Sequence, residues 1–132
     1  SPSSYVAYEM NATFWLFSGE PRRAISYAMR AVEIEPKSWW SYRTMAIAYS
    51  ELGDHRTAVV MGDRAAERHA AVSADPDMML ALARSYAALG DRSMTETVLS
   101  LLFTYRPEVR GTQQYRDTLV FVRRALEAAS SP

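Results

Sequence analysis

The sequence predicts an all-α protein, a right-handed superhelical solenoid of stacked helical hairpins with about seven helices. Three observations predict it. Glycine turns recur, with Gly19-Glu20, Gly53-Asp54 and Gly90-Asp91 separated by 34 and then 37 residues. Other columns follow the same two steps, Ala12, Ala46 and Ala83 in one and Trp15, Tyr49 and Tyr86 in another. Near the C-terminus, Tyr115, Leu119, Val122 and Leu126 recur at helical spacing. A fixed period in this range marks an array whose units bury their apolar faces only by stacking on one another.

The periodicity places helices over about 5–18, 21–35, 39–52, 55–74, 76–89, 92–105 and 112–128. Gly19 after the first helix supplies a left-handed C-cap at low cost, and Pro21 suits the first turn of the second. Ser38 is an N-cap for the third helix, and Asp75-Pro76 caps and starts the fifth. The small residues Ala12, Ala46 and Ala83 let paired helices approach, while Trp15, Tyr49 and Tyr86 fill the space beside them. The second unit carries three extra residues and has Ala70 where a closing proline is expected. Three residues turn a helix by about 300°, so the spacing predicts one overlong helix over 55–74 and not a looped insertion. In the seventh helix Arg116, Arg123 and Arg124 lie mostly off the apolar stripe, as expected of a helix that closes a stack. The domain plan is three hairpins (5–38, 39–75 and 76–111) and a capping helix over 112–129, with disordered ends at 1–4 and 130–132. The start at Ser1 and the Ser/Pro-rich ends read as a segment of a longer chain.

These columns resemble the tetratricopeptide repeat, whose signature is an aromatic, a Leu-Gly-like pair, a second aromatic, then Ala, a bulky residue and a closing Pro. The first unit reads Tyr8, Asn11-Ala12, Trp15, Ala24, Ala28, Pro36. The second reads Tyr42, Met45-Ala46, Tyr49, Ala58, Gly62, and the third Met79, Leu82-Ala83, Tyr86, Thr95, Leu99, Pro107. The match spans about residues 5–109. Asn11 stands where the pattern is apolar, and Thr95, Leu99 and Leu102 make the third unit less regular.

Composition narrows the function classes. Lys+Arg and Asp+Glu both number 15, so the basic excess that neutralises phosphates is missing and nucleic acid is not an expected partner. No apolar run reaches the roughly 20 residues of a membrane span, and membrane insertion is not expected. The absence of cysteine removes disulfides, thiol catalysis and Cys-ligated zinc, and leaves the compartment open with the cytoplasm favoured. The two histidines, His55 and His69, form no metal triad and no HExxH motif, and no nucleophile elbow or phosphate loop is present. The expectation is therefore no enzyme, no cofactor and no metal site, with His55 in a surface or capping role.

What the resemblance implies is partner binding. In such repeats the inner helix of each hairpin lines a concave groove that takes a peptide or a helix of another protein, so an adaptor or chaperone-like role is expected. The expected groove residues are Met10, Thr13, Leu16 and Phe17 from the first inner helix, Trp40, Arg43, Thr44 and Ile47 from the second, and Arg84 from the third. Adjacent residues point about 100° apart on a helix, so of Trp39 and Trp40 only Trp40 is expected in the groove. One subfamily grips the C-terminal carboxylate of heat-shock chaperones with Lys, Asn and Arg. The matching positions here hold Val6 and Met10, Trp40 and Thr44, Asp77 and Ala81, so that clamp is missing. Two alternatives stay open. Val6, Met10 and Phe17 can pack against a further helix of a longer array, and the chain can be a structural or regulatory segment that mediates self-association as a homodimer.

Overall fold

The computed structural model describes residues 2–131, with side chains from Ser4 onward. Seven α-helices follow in chain order: α1 Pro2–Phe17, α2 Pro21–Ile34, α3 Trp39–Glu51, α4 His55–Arg68, α5 Pro76–Ala88, α6 Arg92–Tyr105 and α7 Gln113–Ser130. Two 3-10 turns, Ala70–Ala74 and Pro107–Gly111, precede α5 and α7, and no strand occurs among the described residues. Helices pair as α1–α2, α3–α4 and α5–α6, and the odd-numbered helices also lie side by side along the stack.

The repeat columns are the places where backbones come closest. Ala12, Ala24, Ala28, Ala31, Ala46, Ala58, Ala65 and Ala83 are all fully enclosed. Gly62 takes the column of Ala28, and a methyl group there would stand 2.7 Å from a Leu82 methyl. Its missing side chain lets α4 settle on α5. Gly19, Gly53 and Gly90 close the inner helices with φ of +78°, +80° and +76°, a region that side-chain-bearing residues avoid. Asp54, Asp75, Asp91 and Thr112 then accept from the backbone N–H groups of Thr57, Met78, Met94 and Tyr115 and start the next helices. Ser38 starts α3 without capping it, because its hydroxyl is bonded to Glu9 and Ser41 instead.

Two expectations are corrected. The overlong helix does not form: α4 ends at Arg68, and His69 is extended (φ −153°, ψ 92°). The outer helices α2, α4 and α6 end at Ile34, Arg68 and Tyr105, which stand in one repeat column. The three extra residues therefore lie in the connection, as the 3-10 turn. Tertiary contacts stop the helix. Arg68 donates to the Pro36 carbonyl (2.8 Å), His69 stacks on Trp39 at 4.2 Å, and Val72, 2% exposed, plugs the core from the turn. Val109 does the same from the second turn. Helical phase alone permits the longer helix, but the residues past Arg68 gain more contacts by leaving it. The second correction concerns the ends. Helix α1 begins at Pro2 and α7 runs to Ser130, so residues 2–4 and 130 are helical, while Ser1 and Pro132 lie outside the described residues.

Candidate functional site

The inner helices α1, α3, α5 and α7 enclose a hollow of about 450 Å³. Leu16 and Phe17 come from the end of α1, Ile47 and Glu51 from α3, Leu80 and Arg84 from α5, and Thr118 and Phe121 from α7. A second, shallower hollow of about 490 Å³ lies between the middle of α1 and the start of α3, lined by Glu9, Met10, Thr13, Phe14 and Trp40. Large apolar side chains are exposed at both: Met10 (69%) and Phe14 (61%) at the shallower hollow and Phe17 (67%) at the larger one. Apolar residues recur all round α1, which leaves part of its circumference without a neighbour.

The structure sorts the nine expected groove residues into four groups. Met10, Phe17 and Trp40 line the hollows with accessible side chains, and Leu16, Ile47 and Arg84 line the larger hollow with varying burial. Thr13 also lines a hollow, but its hydroxyl is occupied twice, accepting from the Trp40 indole N–H (2.7 Å) and donating to the Glu9 carbonyl (2.9 Å). Arg43 and Thr44 do not present themselves to the groove. Thr44 is fully enclosed. Arg43 is 2% exposed: its Nε donates to Asp75 (2.6 Å), its Nη2 to Asp77 (3.1 Å), and its guanidinium lies 4.3 Å from the Trp40 ring centre. Arg43 is not the free groove cation that its helix position suggests, because two carboxylates more than thirty residues away fold onto it.

Arg43 belongs to a polar chain that crosses all four inner helices beneath the groove. Thr13 on α1 holds Trp40 on α3, Trp40 stacks on Arg43, Arg43 binds Asp77 on α5, and Asp77 accepts from Gln114 on α7 (2.9 Å). A second chain runs through the larger hollow. Ser85 donates to Ser50 (2.8 Å) and Ser50 to the Ala81 carbonyl (3.0 Å), so His55 Nδ1, 2.9 Å from Ser85, is placed to donate to that hydroxyl. Burial pushes the His55 pKa below its ordinary value, with the Asp54 charge opposing, so the ring is neutral at neutral pH. His55 is thus part of the groove wall, a role the turn signal before it did not reveal.

The contribution of α7 was also missed. Expected as a solvating cap, it forms the fourth wall through Gln114, Thr118 and Phe121. The signal was in the sequence: Thr13, Ile47, Arg84 and Thr118 stand at successive repeat steps, and all four line a hollow. Among the described residues no group of three or more potential metal ligands comes together, and no helix is long and apolar enough to cross a membrane.

Residues 27–60 match the tetratricopeptide repeat family model. No curated protein matches the chain. Among solved structures the chain is similar to the TPR2B domain of yeast Sti1 in complex with pHsp70, with a TM-score of 0.73 over 96% of this chain and 98% of that one. At 13% identity the likeness is one of fold.

Proposed function

We propose that this chain, a tetratricopeptide-repeat protein, is a protein-interaction module that takes a peptide or helical segment of a partner along its concave face. The observation that carries the reading is the row of exposed apolar side chains on α1, Met10, Phe14 and Phe17, beside the half-buried Trp40 and opening on two hollows. Apolar surface gathered at a concave site is the usual mark of an interaction surface, and aromatic and Met side chains suit anchoring and adaptable contacts. The similar yeast domain is itself described in a complex, which supports the same use of the fold here.

The test is selection of random peptides displayed on phage against the purified protein. Binders are expected that lose affinity for Phe17→Asp and for Met10→Asp, variants at exposed positions that leave the fold intact. A library that returns no binder, or binders indifferent to both changes, would overturn the reading. The exposed Val6 and Phe14 on the same helix favour a second reading, self-association through α1. Sedimentation velocity over a wide concentration range separates the two, since a protein that stays monomeric excludes the second.

A further inference from the structure

We propose that the segment taken by this groove is apolar and carries a lysine or arginine whose cation seats on Glu51; the proposal rests on the groove being the partner site. Charge complementarity points to it. Helices α1, α3 and α5, with the cap Asp75, carry four carboxylates (Glu9, Glu51, Asp75 and Asp77) against two guanidinium groups, Arg43 and Arg84, while α7 lines the larger hollow only with the uncharged Gln114, Thr118 and Phe121. Arg43 is enclosed by Asp75, Asp77 and Trp40 and offers nothing to a ligand. Arg84 donates to Thr118 (3.3 Å) and lies 5.5 Å from the Phe121 ring centre, which draws it toward α7. Asp77 is held by Arg43 and Gln114, and Glu9 by Ser38.

Glu51 differs from all of these. It lines the larger hollow and has neither a hydrogen bond nor an ion pair among the described residues. Burial raises its pKa, and the charge of Arg84 opposes that shift without reversing it. Glu51 is exposed where it lines the hollow, and a cation on the occupant supplies its counter-charge while the occupant itself excludes water from the pair, which strengthens a charge-assisted contact. Leu16, Phe17, Ile47 and Leu80 surround it with apolar surface for an anchor side chain. The second anchor belongs in the shallower hollow. Met10 and Phe17 are seven residues apart on α1, about 10 Å along its axis, which matches two turns of a partner helix.

The probes are fluorescein-labelled peptides of about 14 residues, with Phe and Leu seven positions apart on an Ala/Gln helix. Beside the anchor for the larger hollow they carry Lys, Gln or Glu. Affinities are read by fluorescence anisotropy at low and high salt, with the intact protein and with Glu51→Gln and Glu51→Lys, whose folding is checked by circular dichroism. The Lys peptide is expected to bind about tenfold tighter than the Glu peptide, to weaken with salt, and to lose its advantage in Glu51→Gln. Glu51→Lys is expected to invert the order. Equal affinity for all three peptides overturns the charge rule and leaves the groove as the binding site. A Glu preference abolished by Arg84→Gln overturns it in favour of recognition led by Arg84. If none of the three binds at about 1 mM while peptides from the random library do, the inference falls and the groove stands. If the library also returns nothing, both fall.

Discussion

The floor of the groove and its N-terminal rim are built from the same kind of helix and use their side chains in opposite ways. On α3 and α5 most of the polar groups beneath the groove are bonded, Arg43 to Asp75 and Asp77, and Ser50, Ser85 and His55 in a chain, with Glu51 the exception. On α1 the side chains at the rim are large, apolar and exposed. The difference separates what holds the stack from what is left to meet a partner. A bonded floor fixes the spacing of the inner helices, and the rim is presented on that fixed spacing.

The bonded floor is most sensitive at Arg43. Arg43→Ala leaves Asp75 and Asp77 without their counter-ion and opens a void under Trp40, and about 3 kcal/mol of stability should be lost. Urea unfolding followed by circular dichroism measures it, and a loss below about 1 kcal/mol would mean the floor is not held there. Val72→Ala removes the plug of the first 3-10 turn and should cost about 2 kcal/mol in the same assay. Gly53→Ala forces a side chain into φ +80° with no steric neighbour, so only the backbone cost of about 1 kcal/mol is expected. The rim should respond differently. Phe17→Gln should change stability by no more than about 0.5 kcal/mol while weakening every peptide that the groove binds.

The smallest effect is on pH. The folded pKa of His55 lies below its unfolded value near 6.5, so the unfolded chain binds protons more readily. Stability from this group is present above that value and declines as pH falls through it toward the folded pKa. His55→Gln, still able to reach Ser85, should flatten that decline in thermal melts taken between about pH 5 and 7.5. Glu51 works in the other direction. Its raised folded pKa means that ionisation costs stability as pH rises through that value, so Glu51→Gln should melt slightly higher at neutral pH.

Much of this was legible beforehand, and the places where it was not share a cause. The hairpins, the glycine turns and the buried alanine columns follow from a period that any inspection of spacing finds. That Met10, Phe17 and Trp40, and not Trp39, line the hollows follows from counting around a helix. What spacing does not reveal in Arg43, His55 and α7 depends in each case on a residue in another repeat. Asp75 and Asp77 neutralise Arg43, Ser85 engages His55, and α7 completes a wall begun by α1, α3 and α5.

Local chemistry therefore determined the helices, their order and the stacking columns, because a repeat meets only its neighbours and the rules of that meeting recur at fixed spacing. Tertiary structure decided where α4 stops and which charges on the inner face remain free. Those outcomes depend on pairings between helices, where a neighbour more than thirty residues away outweighs both helical phase and a residue's formal charge.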